Sequence, residues 1–396
     1  MGPARIADVS LVAVLEMRCR CPRHARRVCL YGITPKGASQ KPSTNWSNDV
    51  STFIGVDVSL ATSAICILGE GGKIIKEAKI DSEPAAFVAF MQNLPYEITG
   101  IGMEAGPLSQ WLHKALADAG FAIVLMETHK VKKALSAMPI KTDRRDAEGI
   151  AHLLQLGWFS AVHCKSVTAQ ETRAVLTGRS ALKKALTAME LCVRGILRNF
   201  GLKMGQVSRK GYEERVRELI DGNAMLKKMA LPILAARAEL RKQLAVFERQ
   251  VRSMAMKDPV CRRLMTMPGV GPVVALTYKA AVDDPTRFRR SKDIGPWVGL
   301  TPSREESGER SVVGGISKTG DVGLRTALYQ AANVMLNHGG ANWLKTWALQ
   351  LAEKCGNRRK VKVALARRIG VVLHRMWMNT TDFRSIREEA LALRAA

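Results

Sequence analysis

Between residues 52 and 126 the chain carries a pattern that few folds accommodate: three short runs rich in β-branched residues, then strand and helix in alternation. The runs are Phe53-Ile54-Gly55-Val56-Asp57-Val58-Ser59, residues 64–68, and residues 73–80 after a Gly-rich turn at 69–72. Bounded by turn residues, they predict an antiparallel meander. A helix follows, with Pro84 in its first turn and its end near Gln92. Residues 100–103 read as a strand ending at Glu104, 108–119 as a helix and 122–126 as a strand, and a last helix runs from about Asp143 through Leu154. The order β-β-β-α-β-α-β-α predicts a mixed sheet with helices packed on it.

Downstream the strand pattern vanishes. From about 167 to 256, Val175, Leu182, Leu186, Met189, Val193, Ile196 and Leu197 recur at helical spacing, and residues 226–254 give a second long helix with Leu234, Leu240, Leu244 and Val251. Residues 201–211 separate the two, which predicts a pair of long antiparallel helices or helices that pair with another subunit. From about 258 to 380 a mainly helical region opens with Pro268-Gly269-Val270-Gly271-Pro272 between two helical stretches, similar to a helix-hairpin-helix turn. Its glycines let backbone amides approach a phosphate, or serve a purely structural αα corner. A polar loop spans 301–315, and helices are expected from about 321 to 337 and from about 341 to 378. The division is thus 1–50, 51–165, 166–257, 258–380 and a tail at 381–396.

Residues 1–50 read as a loosely ordered basic extension, or as a mis-assigned start upstream of the first domain. Cys19, Cys21, His24 and Cys29 offer four zinc ligands, but their spacing matches none of the paired knuckles. The eight cysteines form no regular framework, so a reducing cytoplasm is expected.

Charge narrows the partners. Against 35 Asp and Glu stand 61 Lys and Arg, a formal net charge of +26. Such an excess calls for a polyanion, and no apolar segment of about 20 residues or amphipathic anchor points to a membrane. Nucleic acid is the expected partner. Arg358-Arg359-Lys360-Val361-Lys362 and Arg367-Arg368 concentrate positive charge in the last helix, as a phosphate-contacting or merely solvated face.

Acids in apolar surroundings are the chemical clue. Asp57 interrupts an apolar strand, where a carboxylate is costly to desolvate without a cation. Glu104 ends another strand before Ala105-Gly106-Pro107, and Asp143 and Asp146 share one helical face. Singly, each has an ordinary explanation: an Asp forms a turn, and Asp143 or Asp146 pairs with Lys141, Arg144 or Arg145. Together, with the first and fourth strands adjacent and the final helix across their ends, all four converge. Hard oxygen ligands suit Mg²⁺ or Mn²⁺, and two such ions about 4 Å apart stabilise both oxygens of an in-line phosphoryl displacement.

These residues carry a resemblance. The element order is similar to the RNase H and RuvC-like nuclease fold. Gly55-Val56-Asp57, Met103-Glu104-Ala105 and Lys141-Thr142-Asp143-Arg144-Arg145-Asp146-Ala147 resemble the DEDD-type transposases of bacterial insertion sequences, most closely the insertion sequence 110 family. The likeness covers about 52–380 and includes Pro268-Gly269-Val270-Gly271 and Trp297-Val298-Gly299-Leu300-Thr301-Pro302 in the family's order.

The resemblance implies a DNA transposase with Asp57, Glu104, Asp143 and Asp146 as metal ligands. It also implies a nucleophilic serine before Gly314-Gly315-Ile316-Ser317-Lys318-Thr319-Gly320-Asp321, which falls on Ser307. Glu306-Ser307-Gly308-Glu309 stands where Ser-Ser-Gly-Gly is usual in the family. Ser303, Ser311 and Ser317 compete for the role, although Ser317 is equally a cap for the following helix. Gly269, Gly271, Lys318, Arg358, Arg359, Lys360, Arg367 and Arg368 are the expected nucleic-acid contacts. The resemblance further implies a covalent phosphoserine, a structured bridge RNA that pairs with donor and target DNA, a homodimer or tetramer, and a bacterial, nucleoid-associated cytoplasmic location. The competing expectations are a metal-dependent Holliday-junction nuclease with water as nucleophile and a non-catalytic nucleic-acid-binding protein.

Overall fold

The computed structural model describes residues 51–136, 140–308 and 310–386. The expectations for residues 1–50, including Cys19, Cys21, His24 and Cys29, lie outside the described residues.

Five strands form the first sheet: β1 (Thr52–Asp57), β2 (Thr62–Leu68), β3 (Ile74–Asp81), β4 (Ile98–Glu104) and β5 (Ile123–Met126), in the order β3-β2-β1-β4-β5. β1 to β3 pair antiparallel, whereas β4 lies parallel to β1 and β5 parallel to β4. This is the mixed order expected of an RNase H/RuvC-like sheet. The helices of this part are α1 (Pro84–Gln92), α2 (Ser109–Asp118), α3 (Thr128–Leu135) and α4 (Asp143–Gln155). The sequence reading missed α3, whose first turn is stabilised by Glu127: its carboxylate accepts from the His129 and Lys130 amides.

Strand alternation assigns the two faces. Ile54, Val56, Ile101 and Met103 are buried with Phe87 of α1 and Leu112 and Leu116 of α2. The alternate positions, Gly55 and Gly102, face α4. A β-carbon at Gly55 would lie 2.1 Å from the Ala147 carbonyl oxygen and 2.4 Å from the Ala151 nitrogen, and one at Gly102 would meet Met126, Ile150 and Leu154. The two glycines are partners in the β1–β4 register. Side by side on the central strands, they form a trough shallow enough for the backbone of α4 to enter.

The middle is built from α5 (Val167–Asn199), the short α6 (Tyr212–Leu219) and α7 (Ala224–Lys257). The long helices are antiparallel, because Arg179 pairs with Glu248 near one end and Glu190 with Arg237 further along. At the distal end Val193, Leu197, Val216, Leu226 and Leu234 form a separate core. The Arg237 guanidinium is buried there, bonded to Glu190 Oε1 and stacked 4.3 Å over the Tyr212 ring, so the buried charge keeps a partner on both sides.

A third core unites α8 (Pro259–Leu264), α9 (Pro272–Val282), α10 (Ile294–Val298), α11 (Val322–His338), α12 (Trp343–Cys355) and α13 (Arg358–Met378). Tyr278, fully buried, donates its hydroxyl to the Gly370 carbonyl. Three expectations are corrected here. The single helix expected over 341–378 is two, because Gly356 adopts a left-handed conformation at φ 63° and Asn357 caps α13. The polar loop at 301–315 is a hairpin of β6 (Pro302–Ser307) and β7 (Arg310–Ile316). Its strands place Arg304, Glu305 and Glu306 opposite Val313, Val312 and Ser311, and every residue of β6 is exposed. Ser317 does not cap α11; Asp321 does, accepting from the Leu324 amide, while the Ser317 hydroxyl meets that of Thr319. The beginning of the tail is docked, with Trp343 donating from its ring and backbone nitrogens to the Arg384 and Ser385 carbonyls. Among the described residues no helix is long and apolar enough to cross a membrane.

Candidate active site

Asp57 and Glu104 terminate β1 and β4, two residues beyond Gly55 and Gly102. Period-two alternation puts both acids on the α4 face. Successive contacts set the helix direction: Gly100 and Gly102 face Leu154 and Ile150, while Gly55 faces Ala151 and Ala147. α4 therefore runs against the strands, and its first turn, with Asp143 and Asp146, lies at the edge where Asp57 and Glu104 end. Thr142 fixes that turn by accepting from the Arg145 amide.

Electrostatics shows the convergence. Asp57 is half-buried, and its carboxyl is pushed up to about 6 by burial first, then by the negative charges of Asp146, Asp143 and Glu104, with Lys141 pulling the other way. Burial also raises Glu104, aided by Asp146 and opposed by the Thr128 hydroxyl and Lys141. Lys141 Nζ lies 3.9 Å from Asp146 and is itself largely exposed. One solvated lysine does not neutralise four carboxylates. Arg144 is turned away, bonded to Glu77 on β3.

Three of the acids thus raise the fourth, Asp57, at one sheet edge, although among the described residues no three His, Cys, Asp or Glu side chains are gathered as tightly as a metal cage. The donor set fits a hard divalent cation: its ligands are all carboxylates, and their mutual repulsion at Asp57 is the charge such an ion would offset. Thr128 and Lys141 border these acids, with the Thr128 hydroxyl donating to the Ala105 carbonyl at 2.9 Å. Thr128 opens α3, which carries no strong local signal in the sequence, and Lys141 is the expected ion-pair partner of Asp146.

The remaining expected residues lie elsewhere. Ser307 is exposed, the last residue of β6 and the register partner of Arg310. Among the described residues, hydrogen bonds of the hairpin run from Ser303 to Gly315, Ser311 to Glu306 and Ser317 to Thr301. Gly269, at φ 86°, has a packing reason to be glycine, since a β-carbon there would lie 2.5 Å from the Ala331 carbonyl of α11. Gly271, at the start of α9, has open space before it. Lys318 is exposed in a left-handed conformation at φ 57°. Arg358, Arg359 and Lys360 form the exposed first turn of α13. Cations there oppose the helix dipole, a cost that a bound anion removes. Arg367 packs against Gly295, and Arg368 lies 3.6 Å over the Trp347 ring.

A family model for a DEDD transposase of the insertion sequence 110 type, described as "Transposase", matches residues 54–201, and one described as "Transposase IS116/IS110/IS902 family" matches residues 261–348. The chain belongs to the IS110 family of transposases. The two matches take in the four acids and the hairpin. Among relatives, the transposase for insertion sequence element IS1111A of Coxiella burnetii is 29% identical over 321 residues, 79% of this chain and 86% of that protein. A probable family 20 transposase of Pseudomonas aeruginosa is 28% identical over 247 residues, 60% of this chain and 71% of its own length. Among solved structures, Thermus thermophilus RuvC matches with 12% identity and a TM-score of 0.23, over 28% of this chain and all of that one.

Proposed function

We propose that this transposase cleaves and rejoins DNA strands at a site made of Asp57, Glu104, Asp143 and Asp146 together with Ser307. The observation that carries the reading is the shared field of the four acids, in which three raise the fourth. Mg²⁺ or Mn²⁺, expected as a pair, would be held by these four residues and would supply charge neutralisation at a phosphodiester. Lys141 pairs with one of the ligands, Asp146.

The reaction is a transesterification. The Ser307 oxygen forms a bond to phosphorus, the bond from phosphorus to one strand's sugar oxygen breaks, and the proton passes from serine to the leaving hydroxyl. The hydroxyl of another strand then attacks the phosphoserine and restores Ser307. One phosphoester replaces another at each step, so no external energy source is required. Ser307 stands on the exposed hairpin that follows α10 and the acids on the sheet, so the two halves of the site meet on the substrate, within one chain or between subunits of a dimer or tetramer.

Phosphate contacts fall to Arg358, Arg359, Lys360 and Lys318, and to the open backbone at Gly271. Arg367 and Arg368, exposed further along the same helix, add to its positive charge. The sequence of donor and target DNA is read by pairing with a structured bridge RNA, which leaves shape, charge and chemistry to the protein.

A second reading has an observation in its favour. The Ser307 hairpin bonds to itself and not to the acids, as expected if water attacks and the protein is a junction nuclease. The test is mass spectrometry of Ser307 after the protein, with the RNA it retains, meets nicked, branched DNA from the ends of its own element in Mg²⁺. A nucleotide on Ser307 supports the serine mechanism. Cleaved DNA with an unmodified Ser307 assigns the reaction to water.

A further inference from the structure

Residues 160–166 leave the sheet and enter α5, and they are stapled twice. On the sheet side, the Glu127 amide donates to the Ser160 carbonyl at 2.9 Å and the Val162 amide to the Leu125 carbonyl at 2.7 Å. On the other side they meet the end of α9. His163 Nε2 lies 2.8 Å from Asp283 Oδ2, the Ser166 amide donates to the same oxygen at 2.7 Å, and the Ser166 hydroxyl donates to Oδ1 at 2.6 Å. Lys165 Nζ donates to the Ala281 carbonyl at 2.7 Å. Both oxygens of one carboxylate are therefore filled by the segment that joins the sheet to the helical remainder.

Asp283 holds this position against its own backbone. Its φ of 65° and ψ of −67° are those of a non-glycine residue outside the ordinary left-handed well, a conformation kept only where surrounding contacts enforce it. A side chain without a task would be expected to yield such a position to glycine. The carboxyl group is held below its usual range, because the bonds from Ser166 and His163 outweigh its burial. Lys165 beside it is pushed down to about 8, by burial first and then by Arg173 and Arg287.

A second link leads on to the hairpin. Arg173, less than two turns into α5 from Ser166, bonds to Asp321 Oδ2 at 2.5 Å. Asp321 caps α11 and directly follows the hairpin's foot at 317–320. Arg325 braces both feet, donating to the Val298 carbonyl at 2.7 Å and the Thr319 carbonyl at 2.8 Å. From β5 to the root of the serine hairpin there is thus a continuous polar path through Asp283 and Asp321.

We infer that Asp283 is a positioning residue: it fixes the acid-bearing sheet against the core that carries the Ser307 hairpin, so that both engage one DNA substrate in register. The inference rests on the proposed joint use of the acids and Ser307. Neither Asp283 nor its partners touches the reacting phosphate in this scheme.

The test uses the full chain with its retained RNA and two bioorthogonal spin labels, at exposed Glu97 on the sheet side and exposed Glu353 on α12. Asp283→Ala is expected to widen the label-to-label distance distribution at least twofold, and to lower cleavage of the branched DNA at least 30-fold with DNA affinity held within threefold. Asp283→Gly relieves the backbone but also lacks the carboxylate, and is expected to match the alanine variant in both readouts. Because Asp283→Ala alone could disturb folding, His163→Gln and Ser166→Ala serve as milder cuts with intermediate widening. An unchanged distance distribution in Asp283→Gly, or a widened one with wild-type cleavage, overturns the inference. Wild-type protein that leaves the DNA intact refutes the proposed function instead, and the distance readout then still decides whether the clamp exists.

Discussion

Gly55 and Gly102 stand directly opposite one another on the parallel strands β1 and β4, and α4 lies in the trough they leave. The absence of two side chains brings Asp143 and Asp146 to Asp57 and Glu104. The active-site geometry is thus set by packing one turn away from the acids.

Gly55→Val is expected to destabilise the fold by about 3 kcal/mol or more, since a β-carbon 2.1 Å from a helix carbonyl meets backbone that has no rotamer to escape into. Gly106→Ala, with nothing within 4 Å, is the control, expected within about 0.5 kcal/mol of wild type. Urea denaturation of both checks this.

Asp57→Asn should stabilise the metal-free protein. The folded carboxyl titrates near 6 against an ordinary 3.8. Its favourable contribution is complete below about 4 and is lost as pH rises through 6, so at pH 7.5 the charged form is a net cost. Removing that charge is expected to add about 1–2 kcal/mol, after allowance for solvent screening. The gain should appear in EDTA and disappear near pH 4, while catalysis is abolished.

His374 gives the opposite slope. Its ring is buried between the Ser291 hydroxyl and the Pro285 carbonyl, and burial lowers its pKa below 6.5. Stability from this group is present above the unfolded value and is lost as pH falls through the folded one. In an Asp57→Asn background, thermal midpoints should decline from pH 7 to 5, and His374→Gln should flatten the decline.

Ser307→Ala should leave folding and DNA affinity unchanged, because the side chain is exposed at the end of a hairpin strand. Surface changes of this kind stay within about 0.5 kcal/mol. Strand joining is expected to fall at least 1,000-fold, measured by recovery of recombinant junctions.

Replacing Arg358, Arg359 and Lys360 with alanine should reduce the slope of log affinity against log salt by about 2.7, the value for three lost phosphate contacts on duplex DNA. An unchanged slope would make this first turn of α13 a solvated face.

Much of this was legible in the sequence because the relevant forces are local. The β-branched runs gave all five strands of the sheet, and the spacing of Asp143 and Asp146 placed them on one helix face. Adjacency of the first and fourth strands, with that helix across their ends, links these acids to Asp57 and Glu104, and the family resemblance points to the same four. The break at Gly356 was harder to see, since Leu, Ala and Lys flank it on both sides and helical periodicity resumes at once. The hairpin escaped because Arg304 to Ser307 and Arg310 to Val313 are polar or exposed, with no buried face to produce alternation. Asp283 and its partners are invisible to any local pattern. They lie about 120 positions apart and meet only through the packing of α9 against the start of α5.

The most direct test is a Mn²⁺ titration followed by calorimetry on wild type and on Asp57→Asn, Glu104→Gln, Asp143→Asn and Asp146→Asn. A single shared site is expected to bind Mn²⁺ in the wild type and to lose at least tenfold in affinity in every one of the four variants. Wild-type affinity in any two of them would contradict a common site.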